Sequence, residues 1–158
     1  KFGSKFFGDR IRLLVSGGAP CSPVVLNFLE LCFQCEVSDG YGTTETGPIM
    51  SGGTLVPGVE VKLRDVPELG YLNTDRPYPR GELLVRTQTM FSGYYQDEET
   101  TNKVKNESGF YATGDICELN PRTNSIRVID RVKNVIKLSQ GEFVWVESLE
   151  NQFLSKIP

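Results

Sequence analysis

The sequence contains no histidine, and this absence removes a large class of chemistry. Histidine is the commonest general base and the commonest metal ligand in enzymes. Ser-His and Cys-His catalysis and most catalytic zinc sites are therefore excluded within this chain. Any reaction carried by these 158 residues must use other groups.

Cysteine is scarce, and its spacing carries little functional signal. Of the four cysteines, Cys32 and Cys35 form a C-x-x-C pair, which could be a redox pair or half of a zinc site. The second C-x-x-C that a zinc site needs is missing. Because the pair lies where an apolar helix passes into a strand, we interpret both residues as buried thiols.

Long apolar runs and basic clusters are missing as well. No stretch approaches the ~18 apolar residues of a membrane span, and residues 1–10 lack the apolar segment of a signal peptide. Seventeen basic against twenty acidic residues give a net charge of -3. We therefore expect no transmembrane segment, no nucleic-acid partner and a cytoplasmic location, with peripheral membrane association left open.

The residues that are present predict an α/β fold. With 39% hydrophobic and 23% charged residues, the chain is globular in composition. Residues 11–16 predict a buried strand. A helix follows from the N-cap Ser22 to about Phe33, and 35–38 form a second, parallel strand. Glycine-rich segments follow both strands, at the sheet edge where α/β folds bind ligands.

The pattern divides the chain into three parts. Residues 1–52 are the end of an α/β core, 53–129 form a β-rich subdomain with one short helix near 97–105, and 130–158 begin a further unit. In this last part, two strands precede a helix that starts near Glu147. A lone strand-helix-strand unit leaves sheet edges uncovered, so we expect a fragment of a larger protein.

Three segments contain residues suited to a nucleotide. In the first, 39–47, Thr43 and Thr44 can donate to phosphate oxygens, Glu45 can hold a divalent cation, and Tyr41 offers a flat face to a base. An ordinary polar turn is the alternative.

The second and third segments are weak signals when taken singly. In 111–115, Asp115 follows a glycine turn and can accept both hydroxyls of a ribose, although Gly-Asp is also an ordinary turn. In 130–142, three cations and a glycine collect at a domain junction, and the alternative is a solvated strand.

In this order and spacing, the motifs YGTTETG at 41–47, YATGD at 111–115 and DRVKNVIKLSQGE at 130–142 resemble the adenylate-forming superfamily. That superfamily includes acyl-CoA synthetases, luciferases and peptide-synthetase adenylation domains. With the stretch 66–86, the chain is most similar to the adenylation domain of carboxylic acid reductases, and next to long-chain acyl-CoA synthetases. The resemblance covers essentially the whole chain.

The resemblance implies a role for each matching residue. The adenine would lie between Tyr41 and a loop of Gly17, Gly18, Ala19 and Pro20, with Asp39, Gly40 and Gly42 beside it. Thr44 would contact the α-phosphate, and Glu45 would bind Mg²⁺. Asp115 and Arg131 would hold the ribose, Asp130 would be the hinge of the C-terminal lid, and Lys137 would face the site during thioester formation.

The resemblance also implies the reaction and its partners. A carboxylic acid would attack ATP to give an acyl-adenylate, and a thiol of CoA or of a phosphopantetheine carrier domain would then displace AMP. NADPH would be needed only with a downstream reductase domain. The family's phosphate loop and lid lysine are expected in the remainder of the same polypeptide, so we expect this chain alone not to complete adenylation. A long-chain fatty acid-CoA ligase and a non-catalytic nucleotide-binding or interaction module are the alternatives.

Overall fold

The computed structural model describes residues 5, 7–8, 10–19, 21–140, 143–146, 149 and 153, and only the backbone of Lys137, Phe143 and Trp145. Within this part of the chain, the strands form two four-stranded sheets and one two-stranded sheet. The mixed α/β class predicted from the sequence is confirmed.

The first sheet begins with the predicted strand-helix-strand unit. Strand β1 (Leu13–Gly17) and strand β2 (Glu36–Thr43) pair in parallel, and helix α1 (Pro23–Phe33) connects them. The Ser22 hydroxyl accepts the Val24 N–H at 3.3 Å, and the proline occupies the first turn of the helix. Both are start signals read directly from the sequence.

Strand β2 is longer than the sequence predicted. Residues 39–43, expected to form a glycine-rich loop, continue the strand and pair with β3 (Gly47–Ser51), which in turn pairs with β4 (Thr54–Leu55). At Gly42 the two backbones lie so close that a Cβ atom would stand 2.5 Å from the Gly47 carbonyl oxygen. The glycine therefore permits close strand pairing and does not break the strand.

The second sheet is an antiparallel meander in chain order. It contains β5 (Glu60–Arg64), β6 (Arg80–Arg86), β7 (Tyr111–Asn120) and β8 (Ser125–Arg131). The predicted short helix, α2 (Glu98–Val104), lies between β6 and β7.

The two large sheets share one apolar core. Its buried side chains come from β3 of the first sheet and from β6, β7 and β8 of the second, and Tyr41 packs against them. They are Ile49, Met50, Leu83, Val85, Cys117 and Ile126. This packing places the end of β2 beside β7 and β8.

Beyond β8, the predicted pair of strands is observed, with β9 (Val135–Lys137) antiparallel to β10 (Phe143–Trp145). The helix predicted from Glu147 lies mostly outside the described residues. The first sheet extends through Leu55, three residues past the boundary predicted at residue 52. The division of the chain into 1–52, 53–129 and 130–158 stays a prediction.

Helix α1 contributes no fully buried side chain, and large apolar residues on it and on β1 are exposed. Cys32 and Cys35 are accordingly free and only half-buried, which corrects the expectation of buried thiols. Across the described ranges, no helix has the length and apolar character required to cross a membrane.

Candidate active site

A cleft of about 470 Å³ opens between the ends of β1 and β2 and the surface of β7 and β8. Most residues that the sequence singled out for a nucleotide line it. They are Gly18, Ala19, Asp39, Gly40, Tyr41, Gly42, Thr43, Thr44, Asp115 and Arg131. Residues up to 113 positions apart in the sequence therefore meet in one place because the two sheets share a core.

The other predicted site residues lie around this cleft or outside the described part. Gly17 ends β1 so close to β2 that a Cβ atom would stand 3.0 Å from the Gly40 carbonyl oxygen. Asp130 is buried in β8 and accepts the Arg131 N–H at 2.7 Å. Pro20 lies outside the described residues, and for Lys137 only the backbone at the end of β9 is described.

Asp115 is a buried carboxylate in the cleft wall. It is only 6% exposed, and its Oδ2 accepts a hydrogen bond of 2.6 Å from the Tyr41 hydroxyl. Burial, with Cys117 and Asp115 nearby, raises the pKa of Tyr41 above its usual value. The phenol therefore stays protonated at neutral pH and donates to the carboxylate.

Arg131 approaches the same carboxylate from the neighbouring strand. It lies directly opposite Asp115 in the pairing of β7 with β8, and its Nε is 3.4 Å from Asp115 Oδ1. A phenol and a guanidinium thus hold one buried carboxylate at the wall of the cleft. A carboxylate in this setting is suited to accept sugar hydroxyls, because two oxygens can accept several hydrogen bonds.

Glu45 lies in the turn at 44–46 between β2 and β3, next in the chain to Thr44 of the cleft lining. Its Oε1 accepts the Tyr94 hydroxyl at 2.8 Å, and its carbonyl accepts the Phe91 N–H at 2.8 Å. Partial burial raises the pKa of the Glu45 carboxyl. Hydrogen bonds, first among them the one from Tyr94, more than offset this and hold the pKa below its usual value. Glu45 is therefore a carboxylate at neutral pH.

A single carboxylate next to a hydroxyl fits Mg²⁺ bound together with a nucleotide. This ion usually keeps several waters and takes one or two carboxylates plus substrate phosphates. Within the described ranges no three His, Cys, Asp or Glu residues come together as a metal cage. Glu45 beside the exposed Thr44 matches a shared ion and not a cage made by the protein alone.

Sequence reasoning missed part of the site. Ile126, Arg127 and Val128 of β8 line the cleft, and Tyr94 holds Glu45. The β8 residues could have been found, because they precede Asp130 on a strand expected to end at the site. Tyr94 is 49 positions from Glu45, and no local pattern links the two.

A profile of AMP-binding enzymes matches residues 3–95 of the sequence. The chain belongs to the AMP-binding enzyme family. It is 51% identical over 149 residues to a carboxylic acid reductase of Segniliparus rugosus, covering 92% of this chain and 12% of the reductase. It is also 44% identical over 157 residues to the peroxisomal long chain acyl-CoA synthetase 7 of Arabidopsis thaliana, covering 92% and 22%.

A solved structure supports the assignment of the chain to this family. The A domain of the Segniliparus rugosus reductase, in complex with AMP and a co-purified carboxylic acid, is 52% identical and superimposes with a TM-score of 0.77. The match covers 86% of this chain and 22% of that one. The family predicted from the three motifs is confirmed, while the role of each residue stays a prediction.

Proposed function

We propose that this chain provides the nucleotide site of an enzyme that activates a carboxylic acid with ATP. The carboxylate oxygen attacks the α-phosphorus, the bond to the pyrophosphate oxygen breaks, and an acyl-adenylate and pyrophosphate form. The observation that carries the proposal is the cleft, because Tyr41, Thr44, Asp115 and Arg131 from three separate motifs line it. The reaction needs alignment and neutralised charge more than a proton acceptor, which fits a chain without histidine.

The nucleoside would be bound by cleft residues of β2, β7 and β8 and by the loop after β1. Residues 17–20 and Tyr41 would hold the two faces of the adenine, with Asp39 and Gly40 at its edge. Asp115, supported by Arg131, would accept the ribose hydroxyls. The buried hydrogen bond from Tyr41 supports this role, because it holds the Asp115 carboxylate at the cleft wall.

The phosphates would lie toward the turn at 44–46. The Thr44 hydroxyl would donate to an α-phosphate oxygen, and the Glu45 carboxylate would hold Mg²⁺. When bound, this ion neutralises charge on the phosphate oxygens. The low pKa of Glu45 supports the assignment, because the ligand must be ionised.

In the second step a thiol would attack the acyl carbonyl, displace AMP and form a thioester. The acceptor would be CoA or the phosphopantetheine of a carrier domain, and NADPH would take part only where a reductase domain follows. Asp130 would be the hinge and Lys137 would act in this step. The position of Asp130 at the end of β8, just before the β9–β10 pair, supports the hinge role.

The relatives favour a carboxylic acid reductase or a fatty acyl-CoA ligase acting in fatty acid metabolism, and we place the protein in the cytoplasm. The chain spans 12% and 22% of these two relatives, so the acid, the acceptor and the partners are proposals for the whole protein. The alternative of another class is a module that binds a nucleotide without catalysis. Four charged residues at the family's positions, Glu45, Asp115, Arg131 and Lys137, weigh against it.

Acid-dependent exchange of pyrophosphate into ATP tests the proposal, measured on the natural polypeptide in which this chain occurs. We expect exchange with fatty or aromatic acids, its loss in Asp115→Ala and Glu45→Ala, and full activity in Glu107→Ala, which changes an exposed carboxylate. ATP binding without exchange by any acid would favour the non-catalytic module. Absence of both would reject the proposed function.

A further inference from the structure

The turn that contains Glu45 is held by a segment of the second sheet's long connection, residues 87–94. The Thr89 hydroxyl donates to the Thr46 carbonyl at 2.7 Å, and the Phe91 N–H donates to the Glu45 carbonyl at 2.8 Å. The Tyr94 hydroxyl then donates to the Glu45 carboxylate itself at 2.8 Å. The segment 87–94 therefore holds both the backbone of the turn and the side chain of Glu45.

Tyr94 is itself firmly placed. Its ring packs edge-on against Phe91, with centroids 5.0 Å apart, and Phe91 packs in the same way against Tyr111 at 5.7 Å. Its backbone N–H donates to the Thr101 hydroxyl of α2 at 2.9 Å, and that hydroxyl donates to the Asp97 carbonyl at 2.7 Å. The phenol is therefore directed at Glu45 by contacts on both ring and backbone.

We propose that Tyr94 is a positioning residue that orients the Glu45 carboxylate to take a divalent cation together with the phosphates of ATP. This inference rests on the proposed function. Glutamate has three side-chain torsions, and the partial burial of Glu45 restricts them only in part. A hydrogen bond to one oxygen restricts the carboxylate, as outer partners of metal ligands commonly do.

The chemistry of a phenol suits this task. An arginine or lysine in its place would neutralise Glu45 and compete with the cation, whereas a neutral hydroxyl leaves the full negative charge on the carboxylate. The Tyr94 hydroxyl donates to Oε1, and a carboxylate held at one oxygen is compatible with a monodentate metal ligand.

The test compares Tyr94→Phe with Tyr95→Phe in the natural polypeptide. The first change removes only the Tyr94 hydroxyl, and leaves the hydroxyls of Tyr111 and Thr43, which also act on Glu45, in place. The second removes a hydroxyl from a neighbour that is 90% exposed and contacts Gln96, so it is a matched control. Mn²⁺ serves as the probe, and its affinity for the protein with ATP is read from electron paramagnetic resonance. ATP affinity is also measured in EDTA.

We expect Tyr94→Phe to weaken Mn²⁺ binding about tenfold, the lower end of the effect of such outer partners. ATP affinity in EDTA should stay within about twofold, and Tyr95→Phe should match the parent. In a Glu45→Ala background, Tyr94→Phe should add no further loss, because the carboxylate that it positions is gone. In the exchange reaction, the defect of Tyr94→Phe should shrink as Mg²⁺ is raised.

Unchanged Mn²⁺ affinity in Tyr94→Phe would overturn the proposal. So would an equal loss of Mn²⁺ binding and metal-free ATP binding, because that pattern indicates a general structural role. In both cases the parent protein still binds ATP and exchanges pyrophosphate, so the proposed function stands. If the parent itself does neither, the proposed function is rejected and the role of Tyr94 falls with it.

Discussion

At the scale of single residues, the arrangement around Asp115 shows how a buried carboxylate obtains its partners. A phenol from the first sheet donates a hydrogen bond to it, and a guanidinium from β8 forms an ion pair with it. Each contact comes from a different sheet or strand. The carboxylate therefore depends on the assembled fold and not on its own turn.

Replacement of Asp115 by alanine should weaken ATP binding by more than tenfold. The physical reason is the loss of charge-assisted hydrogen bonds to the ribose, which are worth about 1.5–3 kcal/mol. Isothermal titration calorimetry of the natural polypeptide with ATP measures the effect, and Glu107→Ala serves as the exposed carboxylate control. An affinity within a factor of two of the parent would exclude the ribose role.

The residues of the site differ in how far the sequence could predict them. Asp115 and Arg131 could be predicted because each stands in a motif with an unusual combination of residue types, and the structure brings both to the cleft. Tyr94 could not be predicted. Its function depends on a contact across 49 positions that is made only when the connection after β6 folds onto the turn at 44–46.

At the scale of elements, local signals placed α1 and α2 well but ended β2 too early. The helices carry their own start signals, Ser22 and Asp97, which act on neighbouring backbone groups. A strand depends on pairing with a partner elsewhere in the chain. Residues 39–43 look like a loop because of Gly40 and Gly42, yet β3 pairs with them.

Two leucines test which elements stabilise the chain. Leu31 on α1 is 78% exposed, whereas Leu83 on β6 is fully buried. Leu31→Ala should change the free energy of unfolding by less than about 0.5 kcal/mol, because the side chain leaves no cavity. Leu83→Ala should cost about 2–5 kcal/mol, because it removes packing from the core shared by the sheets.

Urea unfolding of the two variants, followed by circular dichroism, measures both values. The dependence of the free energy on urea should be the same in the parent and both variants, so that midpoints can be compared. A loss of about 2 kcal/mol or more in Leu31→Ala would show that α1 is covered in solution.

At the scale of the whole molecule, the junction between the two large sheets forms the core and the cleft together. Tyr41 packs against the shared core, and Met50 and Ile126 of that core line the cleft, so the cleft wall is part of the same packing that stabilises the fold. The junction also buries groups that ionise in alkali. Burial is the largest cause that raises the pKa values of Tyr41 and Cys117, and the nearby Asp115 acts in the same direction on both.

This burial predicts a loss of stability as the pH rises above about 8.5, where an ordinary thiol ionises, and a steeper loss above about 10, where an ordinary phenol does. Below these values both states keep their protons, and the groups contribute no pH dependence. Above them the unfolded chain releases protons that Tyr41 and Cys117 retain in the folded state. Fewer protons are then bound by the unfolded state, so the free energy of unfolding falls, by at most about 1.4 kcal/mol per pH unit for each group.

Urea unfolding between pH 7 and pH 11 measures this slope, and Tyr41→Phe isolates the phenol. The variant loses the hydrogen bond to Asp115, so it should be less stable than the parent at pH 7 by about 0.5–1.5 kcal/mol. Above pH 10 its stability should nevertheless fall less steeply, because it has one fewer buried proton to retain. The two curves should therefore converge in alkali. Parallel curves up to pH 11 would mean that Tyr41 ionises as readily in the folded protein as in the unfolded chain. That result would contradict the raised pKa expected from its burial against Asp115.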